Sequence, residues 1–205
     1  MSKNKESEKN NPLQWERLSK KEINNYQLVK YEGPCHVIKS EKQLEDVIAE
    51  LKKESILGFD TETRPSFKRG ESYLPALLQL ATATDVYLFQ LTLLNLPPAL
   101  IPILENPDIV KAGVAIKYDL KELKKLTHFE PGGFVDIAKE AKKLGIKNLG
   151  LRGLSAVLLK SRISKTAQMS NWAKKWLTPK QIQYAATDAW IGRKLYKEII
   201  KISEK

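Results

Sequence analysis

Three apolar runs follow one another near the middle of the chain, at 56–61, 76–81 and Val86–Gln90. The last two flank a polar turn at 82–85 and have the pattern of a β-hairpin. After Pro97 and Pro98 a helix is expected to about residue 105. From there strand and helix alternate: a strand at 109–113, a helix at 118–126, a short strand at 134–135 and a helix at 136–144. A further helix spans Leu151–Leu159, and a basic loop follows it. The longest helix is opened by Thr178 as N-cap with Pro179 at its first position. Strands joined by tight turns pair antiparallel, whereas strands separated by helices pair parallel. The order therefore predicts an α/β domain with a mixed sheet, three antiparallel strands then parallel strands, and helices on both faces.

The 205 residues suit one domain, and a hydrophobic fraction of 42% suffices for a packed core. We assign 31–205 to that domain, which begins with a strand at 36–39, the N-cap Ser40 and a helix carrying Leu44, Val47, Ile48 and Leu51. Residues 1–30 form a basic, polar extension, expected to be a mobile tail leading into a docking segment marked by Leu13, Trp15, Leu18 and Ile23. No run of about 18 apolar residues is present, which excludes a transmembrane helix. The polar N-terminus lacks the apolar core of a signal peptide, and a single cysteine, Cys35, suits a reducing compartment. These features predict an intracellular protein, cytoplasmic if bacterial.

The stretch Leu57–Thr63 holds the most informative chemistry. Residues i and i+2 of a strand share a face, so Asp60 and Glu62 project together at the end of a buried strand. Like charges so placed raise one another's pKa unless a cation neutralises them, and oxygen ligands suit Mg²⁺ or Mn²⁺. His36 and His128 are too far apart for a histidine-rich metal motif, so any metal falls to carboxylates. In the last helix Tyr184 and Asp188 are four residues apart and share a face continued by Ile191 and Leu195. Ala185, Ala186 and Ala189 are small enough to let that helix approach a sheet closely. Asp119 lies just inside the helix after the 109–113 strand, where the helix dipole also favours an acid. Each site has a bland explanation by itself: a solvated strand end, a stray acid on a helix, a helix-start aspartate.

Their combination resembles a known family. Asp60-Thr61-Glu62, the segment Gly113–Asp119 (GVAIKYD) and Tyr184-Ala-Ala-Thr-Asp188 look like the three exonuclease motifs of the DEDD superfamily. The chain is similar to the Werner-type and RNase D-type 3′–5′ exonuclease domains over roughly 36–200, through LPALLQLAT (74–82), Leu151–Leu159, SNW (170–172) and LTPKQIQYAATDA (177–189). A tyrosine four residues before the final aspartate marks the DEDDy subgroup; the DEDDh subgroup carries a histidine five residues before it, where Gln183 stands here.

The resemblance implies a ribonuclease H-like fold and a two-metal phosphodiesterase that releases nucleoside 5′-monophosphates from the 3′ end of DNA or RNA. The implied catalytic residues are Asp60, Glu62, Asp119, Tyr184 and Asp188. Asp60, Glu62 and Asp188 are implied ligands of the metal that activates water, Asp60 the bridge to a second ion, and Asp119 its ligand through water. Tyr184 is implied to orient the water. The cofactors are two divalent cations, Mg²⁺ or Mn²⁺. From the 205 residues we expect a stand-alone exonuclease domain with a short basic N-terminal extension, without a polymerase or helicase module and with no room for the helical accessory domain that follows RNase D-type domains.

Net charge is +11, and from Lys160 onward eleven Lys or Arg oppose three Asp or Glu. Such a surplus attracts phosphate polymers, although a lysine-rich surface also serves solubility alone. The expected partner is nucleic acid, a single strand or the 3′ end of a duplex, with no membrane and no obligate protein partner. Arg64, Lys68, Arg69, Lys117 and Lys165 are candidate phosphate contacts. Phe67 and Trp172 are candidates for base stacking, with Trp172 equally a core residue. Two rivals remain: a catalytically inactive nucleic-acid-binding module of the same fold, and a structural domain whose basic face binds an acidic protein. Between DNA and RNA the sequence does not decide.

Overall fold

Alternation along the central strands divides the core into two halves, one on each side of a sheet. The computed structural model describes residues 15–204. In chain order the elements are α1 (Lys20–Asn25), β1 (Gln27–Leu28), β2 (Cys35–Ile38), α2 (Leu44–Leu51), β3 (Ile56–Thr63), β4 (Pro75–Ala81), β5 (Val86–Gln90), α3 (Leu91–Leu94), α4 (Ile101–Glu105), β6 (Val110–Gly113), α5 (Lys117–Leu123), β7 (Phe134–Asp136), α6 (Ile137–Lys143), α7 (Leu151–Leu159), β8 (Ser161–Arg162) and α8 (Pro179–Ser203).

Six strands form one mixed sheet in the order β2-β5-β4-β3-β6-β7. β3, β4 and β5 are antiparallel neighbours, and β6 and β7 continue parallel to β3. β2 closes the other edge, parallel to β5. Leu57, Phe59, Leu78, Leu80 and Phe89 face one side, where they pack with α2, α4 and α5. Leu77, Ala81, Val86 and Leu88 face the other, against the alanines of α8. Burying this alternating apolar set on both faces is the main stabilising term of such a layered domain. Among the described residues no helix is long and apolar enough to cross a membrane.

Most of the expected elements are present, and the differences have local causes. The helix after Pro97 is split into a 3₁₀ turn, Pro98–Leu100, and α4. Proline lacks an N–H, so Pro98 and Pro102 sit at element starts rather than inside one long helix. α5 ends at Leu123 rather than 126, with its last carbonyls taken by turn residues. α3 and the parallel pair β1–β8 were not foreseen; β8 lies at the start of the expected basic loop. Two-residue strands have no periodicity to detect.

Of the 1–30 extension, the part that includes Leu13 lies outside the described residues. The rest docks: Trp15, Leu18 and Val29 pack against the cluster built by α6, α7 and α8. Asn148 receives Leu18 N–H (2.9 Å) and donates to Leu18 O (2.8 Å), and Val29 N–H donates to Arg162 O (2.9 Å). α1 is closed by a reciprocal cap between Ser19 and Glu22.

Candidate active site

α8 delivers one acid to the sheet, and small residues make the delivery possible. Its N-terminus is held by a capping box, with Thr178 Oγ1 accepting from Gln181 N–H and Gln181 Oε1 accepting from Thr178 N–H. Ala185, Ala186 and Ala189 then face the sheet fully buried. At Gly58 of β3 a Cβ atom would lie 2.0 Å from the Ala189 carbonyl oxygen, so any larger residue would lift the helix away. This close approach sets Asp188 beside the end of β3.

Asp60, Glu62 and Asp188 converge there, each offering a carboxylate oxygen within 4.8 Å of the others. Asp60 Oδ1 accepts the Thr61 N–H (2.9 Å). Asp119 comes from the first turn of α5 and stands outside this triad. Its Oδ1 accepts the Thr61 hydroxyl at 2.5 Å. The turn before α5 puts Ala115 at φ +60°, a left-handed conformation that side-chain-bearing residues seldom take, and its N–H donates to Asp136.

The electrostatics follow from crowding acids in a dry place. Burial, then the charges of Asp188 and Asp119, push Asp60 well above the carboxylate range. Burial and the other three acids raise Glu62 to about 10. Burial raises Asp188 to about 7, against the opposing pull of the Tyr184 hydroxyl and the Lys165 charge. Burial raises Asp119 as well. The Tyr184 phenol is held above its ordinary value by burial and by the charges of Asp188 and Glu62, so it remains protonated and can donate.

Asp188 Oδ1 is buried without a hydrogen-bond partner. A buried oxygen left so is costly unless a ligand completes it. The donor set is oxygen only, three carboxylates with a fourth nearby, which fits a hard divalent cation of the Mg²⁺ or Mn²⁺ kind.

The cleft around the triad has a volume of about 330 Å³, and Tyr184, Lys165 and Arg152 line it. Lys165, a candidate phosphate contact, thus lies in the cleft with the acids. Arg64, Phe67, Lys68 and Arg69 stand exposed on the segment after β3 and do not line this cleft; Arg64 instead lies over the Tyr73 ring, at 4.6 Å. Lys117 is exposed and faces a separate hollow that Asp136 and Glu140 also line. Trp172 requires correction: it is fully buried, with its ring 5.9 Å from that of Tyr184, so it packs behind the site and offers no surface to a base.

Two residues were missed. Arg152 occupies the first turn of α7, where a cation opposes the helix dipole; that mismatch is the signal that marks it. Gln79 pairs with Asp60 across the β3–β4 ladder and is fully buried, with neither amide atom hydrogen-bonded. It is the one polar residue in an otherwise apolar strand, and that was its signal.

Comparison with known proteins agrees with this geometry. The sequence profile described as 3′–5′ exonuclease matches residues 35–204. The mouse bifunctional 3′–5′ exonuclease/ATP-dependent helicase WRN is 33% identical over 76% of this chain, which covers 12% of that protein. Ribonuclease D of Haemophilus influenzae is 31% identical over 83% of this chain and 44% of its own length. Among solved structures, the exonuclease domain of Aedes aegypti Nibbler superposes with a TM-score of 0.74 at 24% identity, covering 82% of this chain and 87% of that one. Escherichia coli RNase D superposes with a TM-score of 0.72 at 21% identity, covering 82% and 46%. The fold is thus the ribonuclease H-like fold of these domains. The chain spans less than half the length of the curated relatives it matches.

Proposed function

Because the chain belongs to the 3′–5′ exonuclease family, we propose that it removes nucleotides one at a time from the 3′ end of a polynucleotide, each released as a nucleoside 5′-monophosphate. The observation that carries this reading is the convergence of Asp60, Glu62 and Asp188, with one buried oxygen of Asp188 left without a partner.

Asp60, Glu62 and Asp188 would hold one divalent cation and Asp60 with Asp119 a second, and such a pair supplies activation of water and charge stabilisation at the attacking and leaving oxygens. The chain's own groups do the remaining work. Thr61 fixes two of the acids, its N–H on Asp60 and its hydroxyl on Asp119. Tyr184, kept protonated, orients the attacking water by a hydrogen bond. Lys165 and Arg152, the cations that line the cleft, hold the phosphate of the terminal nucleotide. The water gives up a proton as its oxygen bonds to phosphorus, the bond from phosphorus to the 3′ oxygen of the preceding nucleotide breaks, and that oxygen takes up a proton. The products are a 5′-monophosphate and a strand one nucleotide shorter with a free 3′ hydroxyl.

The test is degradation of 5′-labelled single-stranded DNA, recessed duplex and RNA with Mg²⁺ or Mn²⁺, against a chelator control. The expected result is a ladder shortening from the 3′ end only with metal. Binding of the strands without any shortening would instead favour the inactive nucleic-acid-binding module.

A further inference from the structure

A second hollow opens beside the catalytic cleft and shares Gly150, Arg152, Gly153 and Lys165 with it. Its volume is about 470 Å³. Five cations line it, Arg17, Lys20, Lys147, Arg152 and Lys165, and no acid among the described residues does. Two of the five, Arg17 and Lys20, come from the N-terminal segment, outside the residues that match the exonuclease family.

We propose that this groove is a phosphate track: it holds the backbone of the polynucleotide on the 5′ side of the nucleotide being cleaved. The proposal rests on the exonuclease reading for its direction, and on charge and continuity for its ligand. An unopposed row of cations carries a local positive potential that only a polyanion relieves along its whole length. Because the groove runs into the cleft through Arg152 and Lys165, one strand can occupy both.

The N-terminal segment is held in place to do this. Asn148 and Leu18 exchange two hydrogen bonds, Arg162 Nε donates to Tyr26 O (3.0 Å), and Tyr31 N–H donates to Thr187 Oγ1 on α8 (3.0 Å). Glu22, the acid of α1, is turned to its own cap on Ser19 and so leaves the groove basic. Arg152 reaches α1 through Asn24, while its buried Nε has no partner. Its guanidinium lines both the groove and the cleft, so its charge serves either end of one strand.

The experiment compares wild type with the triple variant Arg17→Gln, Lys20→Gln, Lys147→Gln, three exposed side chains whose replacement leaves the core intact. Binding of a fluorescent 12-mer and a trimer is read by anisotropy across a salt series, with Ca²⁺ to suppress cleavage. Each lost phosphate contact removes about 0.7 from the log–log salt slope for a single strand. The triple variant is expected to flatten the slope for the 12-mer by about 2, and at 0.1 M salt to bind it up to about 10²-fold more weakly. The trimer, too short to leave the cleft, should change less than twofold.

An unchanged 12-mer slope would overturn the proposal, as would equal weakening of both oligonucleotides. A Lys68→Gln, Arg69→Gln variant that flattens the slope where the triple variant does not would put the strand on the opposite side. The exonuclease reading is checked separately on wild type, with Mn²⁺ and the p-nitrophenyl ester of thymidine 5′-monophosphate. Failure to hydrolyse that ester and any strand, with the 12-mer result as expected, would sink the exonuclease reading and leave the groove standing as a polynucleotide site.

Discussion

The two faces of the central sheet each bury a charge, and they treat it differently. On the side of α4, Lys111 is fully buried, yet its ammonium donates to Ile103 O (2.9 Å) and Asn106 O (2.6 Å) and lies over the Phe134 ring. Burial lowers its pKa to about 8. On the side of α8, Asp188 is also buried, but its Oδ1 meets no donor, and Asp60 and Glu62 crowd it while Tyr184 and Lys165 only partly offset them. A buried charge already supplied with partners belongs to the fold; one with an unpartnered oxygen crowded by like charges awaits a ligand. That contrast, more than the presence of acids, distinguishes a site from a structural ion.

The sharpest way to break the contrast is Asp188→Ala. It withdraws a metal ligand and is expected to abolish degradation of a labelled strand in Mg²⁺, while the metal-free protein melts no lower than wild type because repulsion is relieved. Near wild-type turnover would show that Asp188 is not a ligand. Tyr184→Phe should reduce kcat on the order of 10²-fold, with oligonucleotide affinity barely moved, since only the orientation of water is lost. A complete loss of activity with metal binding and fold intact would give the phenol a larger role.

The opposite face should respond in stability alone. Lys111→Met takes the ammonium donor from the buried Ile103 carbonyl and the half-buried Asn106 carbonyl and should cost about 1–3 kcal/mol by urea unfolding. Activity per folded molecule should be retained; its loss would mean that the two faces are coupled.

The smallest effect sharpens the same contrast through pH. Asp188 and Glu62 have folded pKa values raised to about 7 and about 10, so between the unfolded value of about 4 and those values the folded state carries more protons. Stability of the metal-free protein should therefore fall as pH rises from 5.5 to 8.5, read as a falling Tm. Added Mg²⁺ or Mn²⁺ should raise Tm more at pH 8.5 than at 5.5. Asp188→Asn should flatten the metal-free profile, and an unchanged profile would remove Asp188 from the cause.

Local information was enough for much of this. Compact apolar runs bounded by a polar turn marked β3, β4 and β5, and Thr178-Pro179 marked the start of α8, because turn signals and helix caps are decided within a few residues. Asp60 and Glu62 were placed on one face because residues i and i+2 of a strand share it. The two-residue pair β1–β8 was not legible, since Gln27 and Ser161 acquire a partner only when the chain returns. Trp172 could stack on a base or sit in the core on sequence grounds, and packing against Tyr184 decided for the core. The meeting of Asp188 with the β3 acids depends on Gly58 letting α8 descend, a contact between residues 131 positions apart by their numbers. Likewise Arg17 and Lys20 are solvated charges in the sequence, and they share a groove with Arg152 and Lys165 only because the N-terminal segment folds back onto α7 and β8. Residue type and spacing determine which chemistry is available, whereas long-range packing determines which groups share a dielectric, and it is the shared burial that turns separate acids and cations into sites.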